Sequence, residues 1–132
     1  MIYIDTGPFL ARYLEADQHH TQALKLWDKI KAKNLKCSTS NFVLDEAFTL
    51  LARRAGYAFA AARARNIYAS EKLTILRPDP EDELEAIDLF EKYADQKISF
   101  TDCLSFALIR KEKISTVFSF DKHFERIGAS LF

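Results

Sequence analysis

Four acidic residues carry the chemical interest of this 132-residue chain: Asp5, Glu46, Asp102 and Asp121, spaced 41, 56 and 19 positions apart. Asp5 directly follows the run Ile2-Tyr3-Ile4, and Asp121 closes Val117-Phe118-Ser119-Phe120-Asp121. Apolar runs of this kind read as buried strands, and ligands of open parallel sheets collect beyond the carboxyl ends of the strands. Both carboxylates are therefore expected in one crevice. On a helix, Glu46 has Phe42, Val43, Thr49 and Leu50 as its neighbours three and four residues away, beside the apolar stripe, whereas Asp45 adjoins Asn41 and Thr49 on a wetter face. Asp102 completes Ser99-Phe100-Thr101-Asp102, a pattern resembling a capping box, with Ser105 and Phe106 leading on to the helix's inner face.

Taken singly, Asp5 and Asp121 read as turn or cap residues and Asp102 as a helix cap. Taken together they pose an electrostatic problem. Carboxylates within roughly 5 Å of one another repel by about 3 kcal/mol per pair at an effective dielectric near 20, and a marginally stable domain cannot keep four of them ionised without compensation. No Lys or Arg adjoins Asp5, Glu46 or Asp102, although Lys122 follows Asp121. Either protons or divalent cations must supply the missing charge. Oxygen ligands without Cys or His select Mg²⁺ or Mn²⁺ over Zn²⁺, and such a site suits phosphoryl transfer.

The elements that must position these acids follow from periodicity. Strands are expected at residues 2–4, 35–39, 73–76 and 116–118, with a possible edge strand at 130–132. Helices are expected from Thr6, which can cap, to about 16; at 18–33; from Ser40 or Asn41 to Gly56; at 57–70 with Arg63 and Arg65 exposed; at 80–94 with Leu84, Ile87, Phe90 and Glu91 at helical spacing; and at 101–111. Strands alternating with long helices imply right-handed crossovers and a mostly parallel sheet of four to five short strands covered on both faces. The chain reads as one α/β domain spanning 1–132.

Composition narrows the function classes. Lys and Arg number 19, as do Asp and Glu, and 48% of residues are hydrophobic. This excludes a basic tail, an acidic solvating tail and a disordered chain. Three Gly and three Pro imply short loops. Cys37 and Cys103 lie in apolar stretches and read as free, buried thiols. Met1-Ile2-Tyr3-Ile4-Asp5 does not read as a signal peptide, and no apolar run approaches the roughly 20 residues of a membrane span. The expected location is the cytoplasm.

The residues also carry a family resemblance. Ile4-Asp5-Thr6-Gly7-Pro8-Phe9, Val43-Leu44-Asp45-Glu46-Ala47, Ser99-Phe100-Thr101-Asp102 and Phe118-Ser119-Phe120-Asp121-Lys122-His123-Phe124, in that order, resemble the motifs of PIN-domain proteins, and within them the small VapC-type ribonucleases, toxins of type II toxin–antitoxin pairs. The resemblance implies a PIN-like three-layer α/β/α fold and a metal-dependent endoribonuclease with Asp5, Glu46, Asp102 and Asp121 around Mg²⁺ or Mn²⁺. Asp5 and Asp102 are the choice for direct ligands, while Glu46 and Asp121 act through water or position the nucleophile. Ser119 stands where the family often has a Thr or Ser. Thr6 and Ser99 are further polar candidates beside these acids. Implied partners are RNA, a small antitoxin and a second copy of the chain.

Phosphate contacts need positive charge, and of the local basic groups Lys122, His123 and Arg12 are expected nearest the crevice. His19-His20 reads as a helix start, and the aromatics as core. Serine-nucleophile chemistry lacks a base in its motif. A haloacid-dehalogenase-like phosphatase would need an acid where Gly7 stands, a receiver domain would need an acidic pair after the first strand, and no glycine-rich phosphate loop is present. The alternatives left are a PIN nuclease of RNA processing or turnover without an antitoxin, and a non-catalytic protein-binding module on the same fold.

Overall fold

Two β-branched residues flank an aromatic in the first strand, and all three side chains are buried, as befits a strand covered on both faces. In the computed structural model, which describes residues 1–132, this strand is β1 (Ile2–Ile4). It is followed by α1 (Thr6–Tyr13), α2 (His20–Ala32), β2 (Cys37–Ser40), α3 (Asn41–Ala55), α4 (Tyr57–Tyr68) and β3 (Leu73–Leu76). The second half comprises α5 (Pro80–Lys92), α6 (Phe100–Lys111), β4 (Thr116–Phe118) and β5 (Ser130–Leu131), with 3₁₀ turns at Ala94–Gln96 and Lys122–Ile127. The architecture is the three-layer α/β/α arrangement expected, and its five-stranded sheet is parallel throughout rather than mostly so.

Strand order is β3-β2-β1-β4-β5. The chain steps outward from β1 to β2 and β3, then returns to place β4 on the other side of β1, so the winding reverses between β1 and β4. Such a switch point leaves a crevice beyond the carboxyl ends of the two strands. Ile4 is paired with Phe118, which brings the residues just after them, Asp5 and Ser119, side by side. The Asp5 N–H donates to the Phe118 carbonyl at 3.0 Å. On the opposite edge of β1, the Thr39 hydroxyl donates to the Ile4 carbonyl at 2.8 Å.

Tyr3, Phe106, Phe118 and Phe124 are among the largest fully buried side chains, with Phe106 and Phe124 edge-to-face at 5.2 Å. Ser40 caps α3 by accepting from the Val43 N–H, and Ser99 caps α6 by accepting from Asp102 N–H, each at 3.1 Å. A capping box at α5 joins Asp79 and Asp82 reciprocally, and Lys111 reaches buried Asp82 at 3.1 Å. Gly56, at φ 102°, ends α3 and starts α4 in a conformation that L side chains rarely adopt.

Several expectations are corrected. Asp5, not Thr6, occupies the N-cap position of α1, and that helix ends at Tyr13 because Leu14 is extended. The second strand begins two residues later than the periodicity suggested, and α4 and α5 end two residues earlier. On α5 the inward series is Asp82, Ala86 and Leu89. Leu84, Ile87 and Phe90, whose helical spacing marked this helix, are 63%, 44% and 46% exposed. Small Ala86 permits close approach to α6, and Lys111 neutralises the acid that turns inward. Arg63 is half-buried rather than exposed, its guanidinium 4.6 Å from the Phe59 ring centroid. Cys37 and Cys103 are free and buried as expected, and no helix is long and apolar enough to cross a membrane.

Candidate active site

The crevice at the switch point opens into a pocket of about 480 Å³ whose lining includes Asp5, Glu46, Asp102 and Asp121 together with Thr6, Ser99, Ser119 and Lys122. Each acid arrives by a different local device. Asp5 leaves β1 at the turn into α1. Glu46 lies one and a half turns into α3 and is half-buried, while its neighbour Asp45 is exposed, as helical geometry required. Asp102 is the third residue of α6, held there by the Ser99 cap. Asp121 caps the 3₁₀ turn at Lys122–Ile127 by accepting from the His123 N–H at 2.9 Å.

Ser119 ties two of these acids together. Its hydroxyl donates to Asp5 Oδ2 at 2.8 Å and accepts from Asp121 N–H at 3.0 Å. Asp5 is 7% exposed. Burial raises its pKa to about 6, against the pull of the Ser119 hydroxyl and the Thr6 N–H, with the charges of Asp121 and Glu46 adding to the rise. Asp102 is pushed higher, to about 7, first by burial and then by the charges of Asp5, Asp121 and Glu46. No Lys or Arg forms an ion pair with any of the four; the one close partner is His123, whose Nδ1 lies 3.1 Å from Asp121 Oδ2. Two carboxyls raised well above the usual carboxylate range, with no Lys or Arg paired to them, mark a pocket in which negative charge is crowded and a cation would be welcome.

Other candidates divide. Lys122 lines the pocket. The Thr6 hydroxyl is buried there without a hydrogen-bond partner. Arg12 does not face this crevice. It lies over the Trp27 ring, 4.8 Å from its centroid, because α1 turns that face toward α2, and it lines a separate groove. An aromatic residue of the pocket and the ring stacked on it went unanticipated. Phe120 forms part of the pocket wall, and His19 stacks flat on it at 4.3 Å and 9°. Alternation along Ser119-Phe120-Asp121 would have turned Phe120 away from the pocket that all three line, and His19 carried no local signal.

Comparison with known proteins bears on this geometry directly. A family model described as the PIN domain matches residues 2–130. The chain belongs to the PIN-domain family. Over 128 residues this PIN domain is 34% identical to the 23S rRNA-specific endonuclease VapC20 of Mycobacterium tuberculosis, in strains CDC 1551 / Oshkosh and ATCC 25618 / H37Rv, covering 97% of this chain and 95% of the relative. The crystal structure of Mycobacterium tuberculosis VapC20, described as a sarcin-ricin loop cleaving toxin, matches with a TM-score of 0.87 at 32% identity over 98% of this chain and 97% of that one. The PIN domain is thus a nuclease of the VapC type, a ribonuclease by family.

PIN nucleases generally use divalent metal ions, and the pocket fits one. Its donors are carboxylate oxygens, its uncompensated charge is negative, and the buried Thr6 hydroxyl lacks a partner. Ligand atoms of Asp102, Asp121 and His123 lie within 4.8 Å of one another.

Proposed function

We propose that this PIN domain, residues 1–132 acting as one unit, is the cytoplasmic toxin of a VapBC-type pair and hydrolyses RNA phosphodiester bonds with Mg²⁺ or Mn²⁺. The observation that carries the reading is the gathering of four carboxylates in one pocket, none of them ion-paired to a Lys or Arg, at the switch point of a parallel sheet. Asp5 and Asp102 would hold the metal, which when bound lowers the pKa of a water and neutralises charge on the phosphate and the leaving oxygen. Glu46, which reaches the pocket from α3, would position the attacking water. Asp121 fixes the start of the 3₁₀ turn and so the place of Lys122, which meets a neighbouring phosphate as a point charge. Ser119 holds Asp5 in its orientation.

The likeness to a 23S rRNA-specific endonuclease over nearly the whole chain supports a structured ribosomal RNA as the substrate. The test is incubation of purified protein with ribosomes and with total RNA, followed by mapping of new RNA ends. Cleavage within ribosomal RNA that needs Mg²⁺ or Mn²⁺ and is lost in Asp5→Asn is expected; cleavage insensitive to chelation, or retained in Asp5→Asn, refutes the assignment. The binding-module alternative loses force here, because a non-catalytic site has no reason to bear this repulsion.

An antitoxin has a suitable surface. A groove between α1, α2 and α4 is walled by Phe9, Trp27 and Ile67 and carries Arg12 and Arg63, with Arg63 Nε buried and unpartnered. Apolar and acidic side chains of a partner segment would complement it. A short reading frame beside this one, encoding a protein that co-purifies and inhibits cleavage, supports the toxin reading. Its absence favours RNA processing or turnover without an antitoxin. The exposed stripe of Leu84, Ile87 and Phe90 offers a contact for a second copy; light scattering of wild type and Leu84→Glu tests for the homodimer.

A further inference from the structure

All three histidines of the chain are accounted for by the fold, and only His123 comes close to any of the four acids. His20 Nδ1 lies 2.6 Å from the Ala11 carbonyl, and His19 is stacked on Phe120. His123 presents its Nδ1 to the carboxylates instead. The nitrogen is buried and lies 3.1 Å from Asp121 Oδ2, within ion-pair range, yet no hydrogen bond joins the two. The backbone explains how it is held there: Asp121 Oδ1 accepts from His123 N–H, and the next residue, Phe124, is anchored in the core with no exposure.

A nitrogen and an oxygen facing each other at this distance without a shared proton match a coordination sphere. Two ligands about 2.1 Å from a metal on adjacent corners of an octahedron stand about 3 Å apart. Asp102 completes a triangle whose atoms all lie within 4.8 Å, a span that a small inward movement of its side chain brings into range. The sequence suggested an all-oxygen site; the structure adds an imidazole to it.

We propose that His123, with Asp121 beside it, joins Asp5 and Asp102 in holding the divalent cation, and that it biases the pocket toward Mn²⁺ over Mg²⁺. The proposal rests on the metal-dependent reading above and deepens it. Imidazole nitrogen suits transition metals, while Mg²⁺ keeps to oxygen and water and dehydrates reluctantly. Replacing His123 therefore removes a ligand that Mn²⁺ uses and Mg²⁺ values little.

The test uses the full chain, freed of metal and titrated with Mn²⁺ alone and then Mg²⁺ alone, in wild type, His123→Gln, His19→Gln and Asp102→Asn. Calorimetry reads affinity and pulsed electron paramagnetic resonance of bound Mn²⁺ reads directly coordinated ¹⁴N; thermal melts confirm that each variant folds. Wild type and His19→Gln should show imidazole ¹⁴N coupling and His123→Gln should not. His123→Gln should bind Mn²⁺ about 10-fold or more weakly, with Mg²⁺ affinity changed by less than about threefold. If Mn²⁺ binds wild type without ¹⁴N coupling while Asp102→Asn abolishes binding, His123 is only a neighbour of Asp121 and the proposal falls with the metal site intact. If Asp102→Asn binds both ions like wild type, or wild type binds neither, the metal reading falls and this proposal with it.

Discussion

Replacing Asp102 by Asn should make the metal-free protein more stable while abolishing its activity. The substitution keeps the side chain's volume and leaves the Ser99–Asp102 N–H cap in place, so the change is almost purely one of charge. Raising the Asp102 pKa from 3.8 to about 7 corresponds, at 1.36 kcal/mol per unit, to a ceiling of about 4 kcal/mol of penalty on the ionised native state. Burial is the first cause of that rise and the neighbouring charges the second; a pair of charges 4.8 Å apart, the outer limit for Asp102 and Asp121, interacts by at most about 3.5 kcal/mol at an effective dielectric of 20. Two effects reduce the net gain. A carboxylate in the first turn of α6 enjoys about 0.3–1 kcal/mol from the helix dipole, and partial solvent access at Asp102 screens the rest. A stabilisation of about 1–2 kcal/mol remains, a rise in Tm of about 3–10 °C for a chain of this size. The assay is calorimetry at pH 7.5 in chelator, paired with RNA cleavage in Mg²⁺ and in Mn²⁺. A variant that melts below wild type in chelator would show that the pocket is not electrostatically frustrated. One that still cleaves RNA would show that it is not the catalytic centre.

Three further outcomes follow from the same geometry. Asp5 and Asp102 hold protons in the native state up to about pH 6 and pH 7, whereas the unfolded chain releases them near pH 4; metal-free stability should therefore fall as pH rises through about 4–7, and the Tm gain from saturating Mn²⁺ should grow across that window. A Tm flat in pH, or a metal effect independent of it, contradicts this. Ser119→Ala deprives Asp5 of the hydroxyl that holds its carboxyl down and leaves the Asp121 N–H unpaired, so the acid limb of the pH–rate profile should move to higher pH with cleavage at pH 7 down about 10–100-fold; an unmoved limb refutes the coupling. Ser40→Ala removes the α3 cap and should lower stability by about 1 kcal/mol, read as a denaturant midpoint shift at unchanged slope.

Local pattern was enough for the chain's strands, its helix starts and the separate fates of Asp45 and Glu46, because strand burial, caps and the 3.6-residue period depend on neighbours within a few positions. The inward face of α5 was not legible that way. Both Leu84-Ile87-Phe90 and Asp82-Ala86-Leu89 have helical spacing, and the choice between them was made by Lys111, distant in sequence, which lets an acid turn inward. Arg12 was misplaced for a related reason: its place in the helix that follows Asp5 says nothing about which side of α1 faces α2.

The four acids, their order and the family they mark were written in the sequence itself, since ligand identity and motif spacing are properties of the chain. The tertiary structure alone decided how they act on one another. The β1–β4 register set Ser119 against Asp5, burial lifted the Asp5 and Asp102 pKa values, and the 3₁₀ turn after β4 delivered the His123 nitrogen to a pocket that had read as all oxygen. Each of these depends on distances between residues far apart in the chain, and Coulomb energy, hydrogen bonding and metal coordination all respond to distance in space, which sequence separation does not encode.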